Sequence, residues 1–346
     1  MTGHARPSAF EPTAPAQHAK ARARRLPETD EVRDGIWSVP LPMPGGNIPF
    51  SLCYLVLDAE GGVHVIDPGV VSDDGWRLLE DALARAGRSL EDVRSVVCTH
   101  LHADHTAMAA GLRERSGARV VMHEAEAAAM TALRSGGVGI LGGRQAEAWG
   151  VPAARRGEVE DVLQMTGPAP FVEVDATVRA GDLLDVPGRE LEVLWTPGHT
   201  GGHVCLRERG ERLLFTGDHV LPMINSGLGL GGPTATNPLA DYLASLTAVA
   251  AFDDHEVCPG HGYRFRGLAR RCAELAAHQT RRAREVEAVL AGDGGDGTTG
   301  AAAPSVWAVA SRLTWTAGWD GLTGFYLASA LAQTAMLAEY ASLQQR

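Results

Sequence analysis

Three histidines and an aspartate crowd into seven residues, Thr99-His100-Leu101-His102-Ala103-Asp104-His105, directly after the apolar run Val93 to Cys98. Neutral imidazole and carboxylate are the nitrogen and oxygen donors that zinc and similar divalent ions take. A straight strand would send such side chains to opposite faces, whereas a turn at a strand end lets them converge. Chance yields this pattern in about one comparable sequence in a thousand, so it reads as a set of metal ligands.

Three further candidates occupy the same kind of place, each behind an apolar, strand-like run. They are His199 in Thr196-Pro197-Gly198-His199-Thr200, Asp218 in Phe215-Thr216-Gly217-Asp218, and His261 in Pro259-Gly260-His261-Gly262. Glycine beside each ligand lets the backbone turn sharply and come close to an ion. His203, in Gly201-Gly202-His203, and His219, next to Asp218, are candidates to donate a proton to a leaving group or to line a pocket, with a structural duty as the alternative. No role is assigned to His64, His123, His255 or His278. The Gly-rich loop Leu221 to Pro233 reads equally as a pocket wall or a plain surface loop.

The elements that must position these residues follow from the apolar pattern. Leu52 to Leu57 and Val63 to Ile66, separated by Glu60-Gly61-Gly62, read as a hairpin. Trp76, Leu79, Leu83 and Ala86 recur at helical spacing before Gly87, and Val93 to Cys98 is the next strand, giving a β-β-α-β unit. Leu191 to Trp195, Val204 to Leu206 and Leu213 to Phe215 repeat the grammar, so two comparable halves are expected. Between them, residues 123 to 165 read as helical around the glycines of 136 to 143, either a mobile lid or a plain helical pair. A long helix is expected over 268 to 291, a linker over 292 to 303, and two helices over Ser305 to Trp315 and Gly324 to Tyr340. The expected division is a disordered tail over 1 to 32, a catalytic domain over 33 to 267, and a helical appendage over 268 to 346.

Composition narrows the setting. No run of about 18 apolar residues offers a membrane span, and the Ala-, Pro- and Arg-rich start lacks the apolar core of a secretory signal. The five cysteines are scattered without a CxxC pair, which fits buried thiols in a reducing, cytoplasmic compartment. A net charge of −11 disfavours a broad nucleic-acid surface without excluding a local basic groove.

In their order, HxHxDH, PGHT, GD and PGHG, the motifs resemble those of the metallo-β-lactamase superfamily, including its glyoxalase II branch, over roughly residues 35 to 265. The resemblance implies an α+β fold, a four-layer αββα sandwich with the site at one edge of its two sheets. It also implies two metal ions, zinc first with iron or manganese as alternatives. His100, His102 and His199 would hold one, Asp104, His105 and His261 the other, and Asp218 would bridge them. Asp67, in Val65-Ile66-Asp67-Pro68-Gly69, matches a position whose carboxylate props the ligand histidines. The di-iron branch has Glu where this chain has His102, which favours zinc hydrolysis. A structural zinc or a decayed site is the competing reading, against which all seven ligand positions are filled.

Two ions sharing a hydroxide would make a nucleophile at neutral pH, with Asp104 orienting it and no serine or cysteine needed. Three functions differ in class. The first is an ester, thioester (acyl-CoA-like) or lactone hydrolase, acting on a small-molecule acyl substrate. The second is a single-strand endoribonuclease. It is suggested by a resemblance of the C-terminal part, through His278, Arg281, Arg282 and Val306-Trp307, to superfamily members with a winged-helix-like appendage. It would need Arg264, Arg266, Arg270 and Arg271 to form a phosphate groove. The third is an iron-dependent oxidoreductase or non-catalytic binding member. A secreted β-lactamase is disfavoured by the missing export signal, no membrane partner is expected, and a homodimer is left open.

Overall fold

A computed structural model describes residues 10–43, 48–135, 145–163, 172–293 and 304–344. In chain order, β1 (Glu11–Pro12), α1 (Pro15–Arg22), β2 (Asp30–Arg33), β3 (Ile36–Pro42), β4 (Phe50–Leu57) and β5 (Val63–Ile66) precede α2 (Asp73–Arg85) and β6 (Val93–Val97). Next come α3 (Ala103–Thr106), α4 (Ala109–Ser116), β7 (Arg119–His123), α5 (Glu124–Arg134), α6 (Ala153–Leu163) and β8 (Ala176–Val178). β9 (Leu191–Trp195), β10 (Val204–Glu208), β11 (Leu213–Gly217), α7 (Pro238–Val249), β12 (Glu256–Pro259) and β13 (Phe265–Arg266) follow. The chain ends in α8 (Leu268–Asp293), α9 (Val306–Ala310) and α10 (Gly324–Gln344).

The strands form a seven-stranded sheet, β2-β3-β4-β5-β6-β7-β8, and a six-stranded one, β1-β13-β12-β11-β10-β9. β4 shows why they stack. Its run Phe50-Ser51-Leu52-Cys53-Tyr54-Leu55-Val56-Leu57 is buried almost throughout, as a strand covered on both faces must be. Leu52, Tyr54 and Val56 face the other sheet and pack with Leu206, Phe215 and Val257, while Cys53 and Leu55 face outward onto Leu79 and Leu83 of α2 and Leu112 of α4. Leu246 of α7 and Leu275 of α8 join the core of the six-stranded sheet. The result is the expected αββα sandwich.

The two halves repeat as expected. β4 and β5 are an antiparallel hairpin, after which α2 carries the chain to β6, parallel to β5. β9, β10 and β11 are antiparallel neighbours, after which α7 carries the chain to β12, parallel to β11. Ser72 caps α2 by accepting the Gly75 amide at 3.0 Å, and Asn237 caps α7 through the Leu239 and Ala240 amides.

The expected tail is a correction, because residues 10 to 32 are built into the fold. β1 pairs with β13 at the edge of one sheet, and β2 pairs with β3 at the edge of the other. Between them Gln17 is buried, donating to Ser38 Oγ at 3.2 Å and accepting the Arg264 amide at 2.8 Å. An Ala-rich composition reads as disorder only until its small side chains, here Ala14 and Ala21, fill a core.

The C-terminal helices expected over 268 to 346 are present, but they do not stand apart from the sandwich. Leu268, Cys272 and Val286 of α8 belong to the main core, and Leu327, Ala328 and Leu331 of α10 pack with Val159 and Leu163 of α6. Among the described residues this part contains no strand that would form a wing. Residues 123 to 165 give α5 and α6, whereas the glycines of 136 to 143 lie outside the described residues. All five cysteines are free and buried, and among the described residues no helix is long and apolar enough to cross a membrane.

Candidate metal centre

Each candidate ligand leaves the end of a strand. His100, His102, Asp104 and His105 follow β6, His199 lies between β9 and β10, Asp218 directly follows β11, and His261 follows β12. The two sheets are joined there, since the Leu52 amide donates to Gly260 O at 2.7 Å and the Gly260 amide to Gly217 O at 2.7 Å. Gly260 has no alternative, because a Cβ would sit 2.7 Å from His105 Cε1 and 2.8 Å from Asp218 Oδ1.

All seven residues converge. Nδ1 of His102 lies 3.0 Å from Nε2 of His100 and 3.0 Å from Nε2 of His199. Asp104 Oδ2 lies 3.2 Å from His261 Nε2 and 3.7 Å from His105 Nε2. Asp218 sits between the two groups, with Oδ1 at 3.5 Å from His105 Nε2 and 3.4 Å from His261 Nε2, and Oδ2 at 3.7 Å from His199 Nε2. Four donors placed tetrahedrally at zinc bond lengths of about 2.0–2.1 Å stand about 3.3 Å from one another, and the spacings here bracket that value.

The ring nitrogen that faces away from the centre is held in every histidine. His102 Nε2–H donates to Leu230 O at 2.9 Å, His199 Nδ1–H to Gly227 O at 2.6 Å, and His261 Nδ1–H to Phe50 O at 3.0 Å. A carbonyl accepts only, so these bonds fix the tautomer and leave the inward lone pairs free for an ion. Asp67 Oδ2 lies 2.8 Å from His105 Nδ1 and accepts the Thr99 hydroxyl at 2.7 Å, while Oδ1 accepts the Thr99 amide at 2.8 Å. Thr99 Oγ1, its proton thus engaged, lies 3.1 Å from His100 Nδ1.

Three buried atoms in the centre, His105 Nε2, His261 Nε2 and Asp218 Oδ1, have no hydrogen-bond partner among the described residues. Unpaired buried polar groups are costly, and these three point at each other. Burial lowers the pKa of His199 to about 4, helped by His102, and burial likewise holds His100 well below the usual histidine range. Burial also opposes protonation of His105, but Asp104, Asp67 and Asp218 outweigh it and raise that ring to about 10. Neutral rings at His100 and His199, beside buried carboxylate charge strong enough to draw a positive charge to His105, are a donor set that suits divalent cations.

His203 and His219 come near this centre without reaching solvent, since both are fully buried. His203 Nδ1 lies 2.8 Å from Thr196 Oγ1 and Nε2 accepts the Asp218 amide at 3.2 Å, so neither nitrogen is placed to protonate a leaving group. The proton-donor reading gives way to one in which His203 positions Asp218. His219 packs edge-on against Tyr242. The arginine groove that the nuclease alternative would need does not form. Arg264 is buried against Glu256 and Asp30, Arg271 donates to Leu221 O and Ile224 O, Arg270 pairs with Glu274, and Arg266 donates to Asp254 O.

One supporting residue escaped the sequence. Glu126 of α5 is buried and accepts the Leu101 amide at 2.7 Å and the Gly202 amide at 2.7 Å, clamping the two ligand loops together. A glutamate in the run Glu124-Ala125-Glu126-Ala127 carries no signal that distinguishes it from a solvated helix residue.

A family model described as the metallo-beta-lactamase superfamily matches residues 47–261. A hydroxyacylglutathione hydrolase of Rhizobium meliloti (strain 1021) is 28% identical over 187 residues, 54% of this chain and 54% of its own length. The lactamase-like protein adaB of Aspergillus niger is 32% identical over 113 residues, 33% of each chain. Thus the chain spans about half or less of the length of these relatives. Among solved structures, a metallo-beta-lactamase family protein from Thermus thermophilus is 26% identical with a TM-score of 0.66, covering 91% of this chain and 95% of its own. A beta-lactamase domain protein from Burkholderia ambifaria shares the fold at 24% identity and a TM-score of 0.68, over 97% and 93%.

Proposed function

This chain belongs to the metallo-beta-lactamase superfamily, and from that membership and the geometry of its seven ligands we propose that it is a dinuclear zinc hydrolase of an ester, thioester or lactone. The observation that carries the reading is Asp218. Its two oxygens face different histidine groups, Oδ1 towards His105 and His261 and Oδ2 towards His199, as a bridging ligand requires. A structural site needs one closed set of four ligands, whereas this arrangement offers two sets and leaves Asp104 and His102 partly open.

His100, His102 and His199 would hold one ion, Asp104, His105 and His261 the other, and Asp218 both. Bound there, the pair would lower the pKa of a shared water towards about 7 and polarise the carbonyl oxygen of the substrate. The chain's own part is positional. Asp67 and the three carbonyls fix the histidine tautomers, Glu126 and His203 hold the ligand loops, and the partly exposed carboxylate of Asp104 would accept a hydrogen bond from the attacking water. A relative whose name gives an acyl conjugate as its substrate supports the thioester member of the class. Five free buried thiols support a reducing, cytoplasmic setting.

Elemental analysis of protein purified without added metal, followed by assay against an acyl-CoA thioester, an aryl lactone and single-stranded RNA, tests the proposal. About two zincs per chain with thioester or lactone turnover are expected. RNA cleavage would move the chain to the nuclease class, and iron without any of these activities would reject hydrolysis.

A further inference from the structure

We propose that an apolar pocket beside His261 receives the acyl group of the substrate and selects short aliphatic acyl groups, roughly three to four carbons long. This rests on the hydrolase reading above. The pocket has a volume of about 90 Å³. Scaled from the cavity of about 150 Å³ that accepts the six carbons of benzene, that is room for about three to four carbons.

Its walls come from four separated stretches. Ala21 belongs to α1, Ile48, Pro49 and Phe50 lead into β4, and Met223 and Ile224 lie on the loop after Asp218. Exposed Arg24 and the ligand His261 complete it. Met223 and Ile224 are 43% and 42% exposed, an unfavourable placement for two adjacent large apolar side chains unless something covers them. Their loop is held in place from α8, since Arg271 Nε donates to Leu221 O at 2.8 Å and Nη2 to Ile224 O at 2.9 Å. The wall is therefore preorganised.

The occupant follows from chemistry and position. Apart from Arg24 and His261, the lining of Ile48, Pro49, Met223 and Ile224 offers a polar leaving group no side-chain partner, whereas the hydrocarbon attached to a reacting carbonyl needs none. Phe50 ties the pocket to the centre directly, because the residue lines the wall and its carbonyl accepts from His261. The N-terminal segment thereby becomes part of the specificity of the site through Ala21.

Titration calorimetry on the zinc-loaded full chain with acetate, butyrate and octanoate tests the pocket, independently of turnover. Two added methylenes should make butyrate bind about tenfold tighter than acetate, with no further gain for octanoate. Ile224→Trp, at a half-exposed position, should remove that preference while leaving zinc content and acetate binding unchanged, and Met223→Trp should act in the same direction. Equal binding of acetate and butyrate, or a preference untouched by both substitutions, would overturn the pocket. In parallel, kcat/KM for acetyl, butyryl and octanoyl thioesters of CoA separates the two ideas. Butyrate selectivity without turnover of any ester, thioester or lactone keeps the pocket and rejects the hydrolase, while turnover with a flat chain-length profile rejects the pocket alone.

Discussion

Asp67 Oδ2 stands 2.8 Å from Nδ1 of His105, and the residue holds this position with a backbone φ of +52°. That conformation is disfavoured for a side chain other than glycine, and aspartate and asparagine tolerate it best. The sharp turn after β5 brings the carboxylate under the ligand loop.

Asp67→Asn keeps the size and the tolerated backbone but removes the charge that favours an N–H on His105 Nδ1. Zinc affinity should fall by about 10- to 100-fold, measured by competition with a chelator. An unchanged affinity would show that His105 needs no support from Asp67.

Asp218→Ala should lose both ions and all activity together, because it removes the ligand shared by the two histidine groups. Full activity in this variant would contradict the dinuclear arrangement.

His203→Ala should retain about two zincs and lose rate through misplacement of Asp218, whose amide it accepts. The shape of the pH–rate profile should be unchanged. Loss of its basic limb instead would mean that His203 delivers a proton after all.

Glu126 makes stability depend on pH in a direction opposite to an ordinary paired carboxylate. Burial raises its pKa from 4.5 to about 7, against the pull of the Leu101 and Gly202 amides, so between these values the folded chain holds a proton that the unfolded chain has released. Its contribution is therefore full below pH 4.5 and is lost as the pH rises towards 7. Glu126→Gln should flatten that slope in urea titrations. Above about pH 7, where the ionised Glu126 accepts both amides, the substitution should also lower stability by about 1–3 kcal/mol, because one amide N–H then faces an NH₂ donor. A variant with the wild-type slope would assign the dependence to another group.

Arg264 is buried between Glu256, 2.7 Å away, and Asp30, 2.5 Å away. Arg264→Met leaves Arg33, 2.8 Å from Glu256, as the remaining cation there and takes the guanidinium from half-exposed Asp30, and should destabilise the fold by about 1–3 kcal/mol, read from the urea midpoint. Limited proteolysis should then cut first within residues 10–33. Resistance equal to wild type would mean that the segment is held by other contacts.

What the sequence makes legible is chemistry written next to itself. HxHxDH declares its turn because the ligands are neighbours, and the hairpin of β4 and β5 follows from apolar runs around Gly61-Gly62. Glu126 is invisible because its partners are backbone amides, Leu101 and Gly202, which have no residue type to mark them. The ordering of residues 10–32 is hidden for a related reason, since Gln17 finds its partners only after β3 and β13 exist. Arg264, Arg266, Arg270 and Arg271 show the converse. Clustered in sequence, they have separate duties once helix phase and burial disperse them.

The N-terminal segment gives each sheet an edge strand, yet Gln17 and Arg264, which it must bring together, are 247 residues apart. Closing so long a loop carries a large entropic cost, so this contact forms only when the rest of the sandwich is already in place. By the same token it should open at lower free energy than the strands it crosses, and Ala21 would leave the pocket wall with it. Amide exchange in residues 10–22 would then report on how often the acyl side of the site stands ajar.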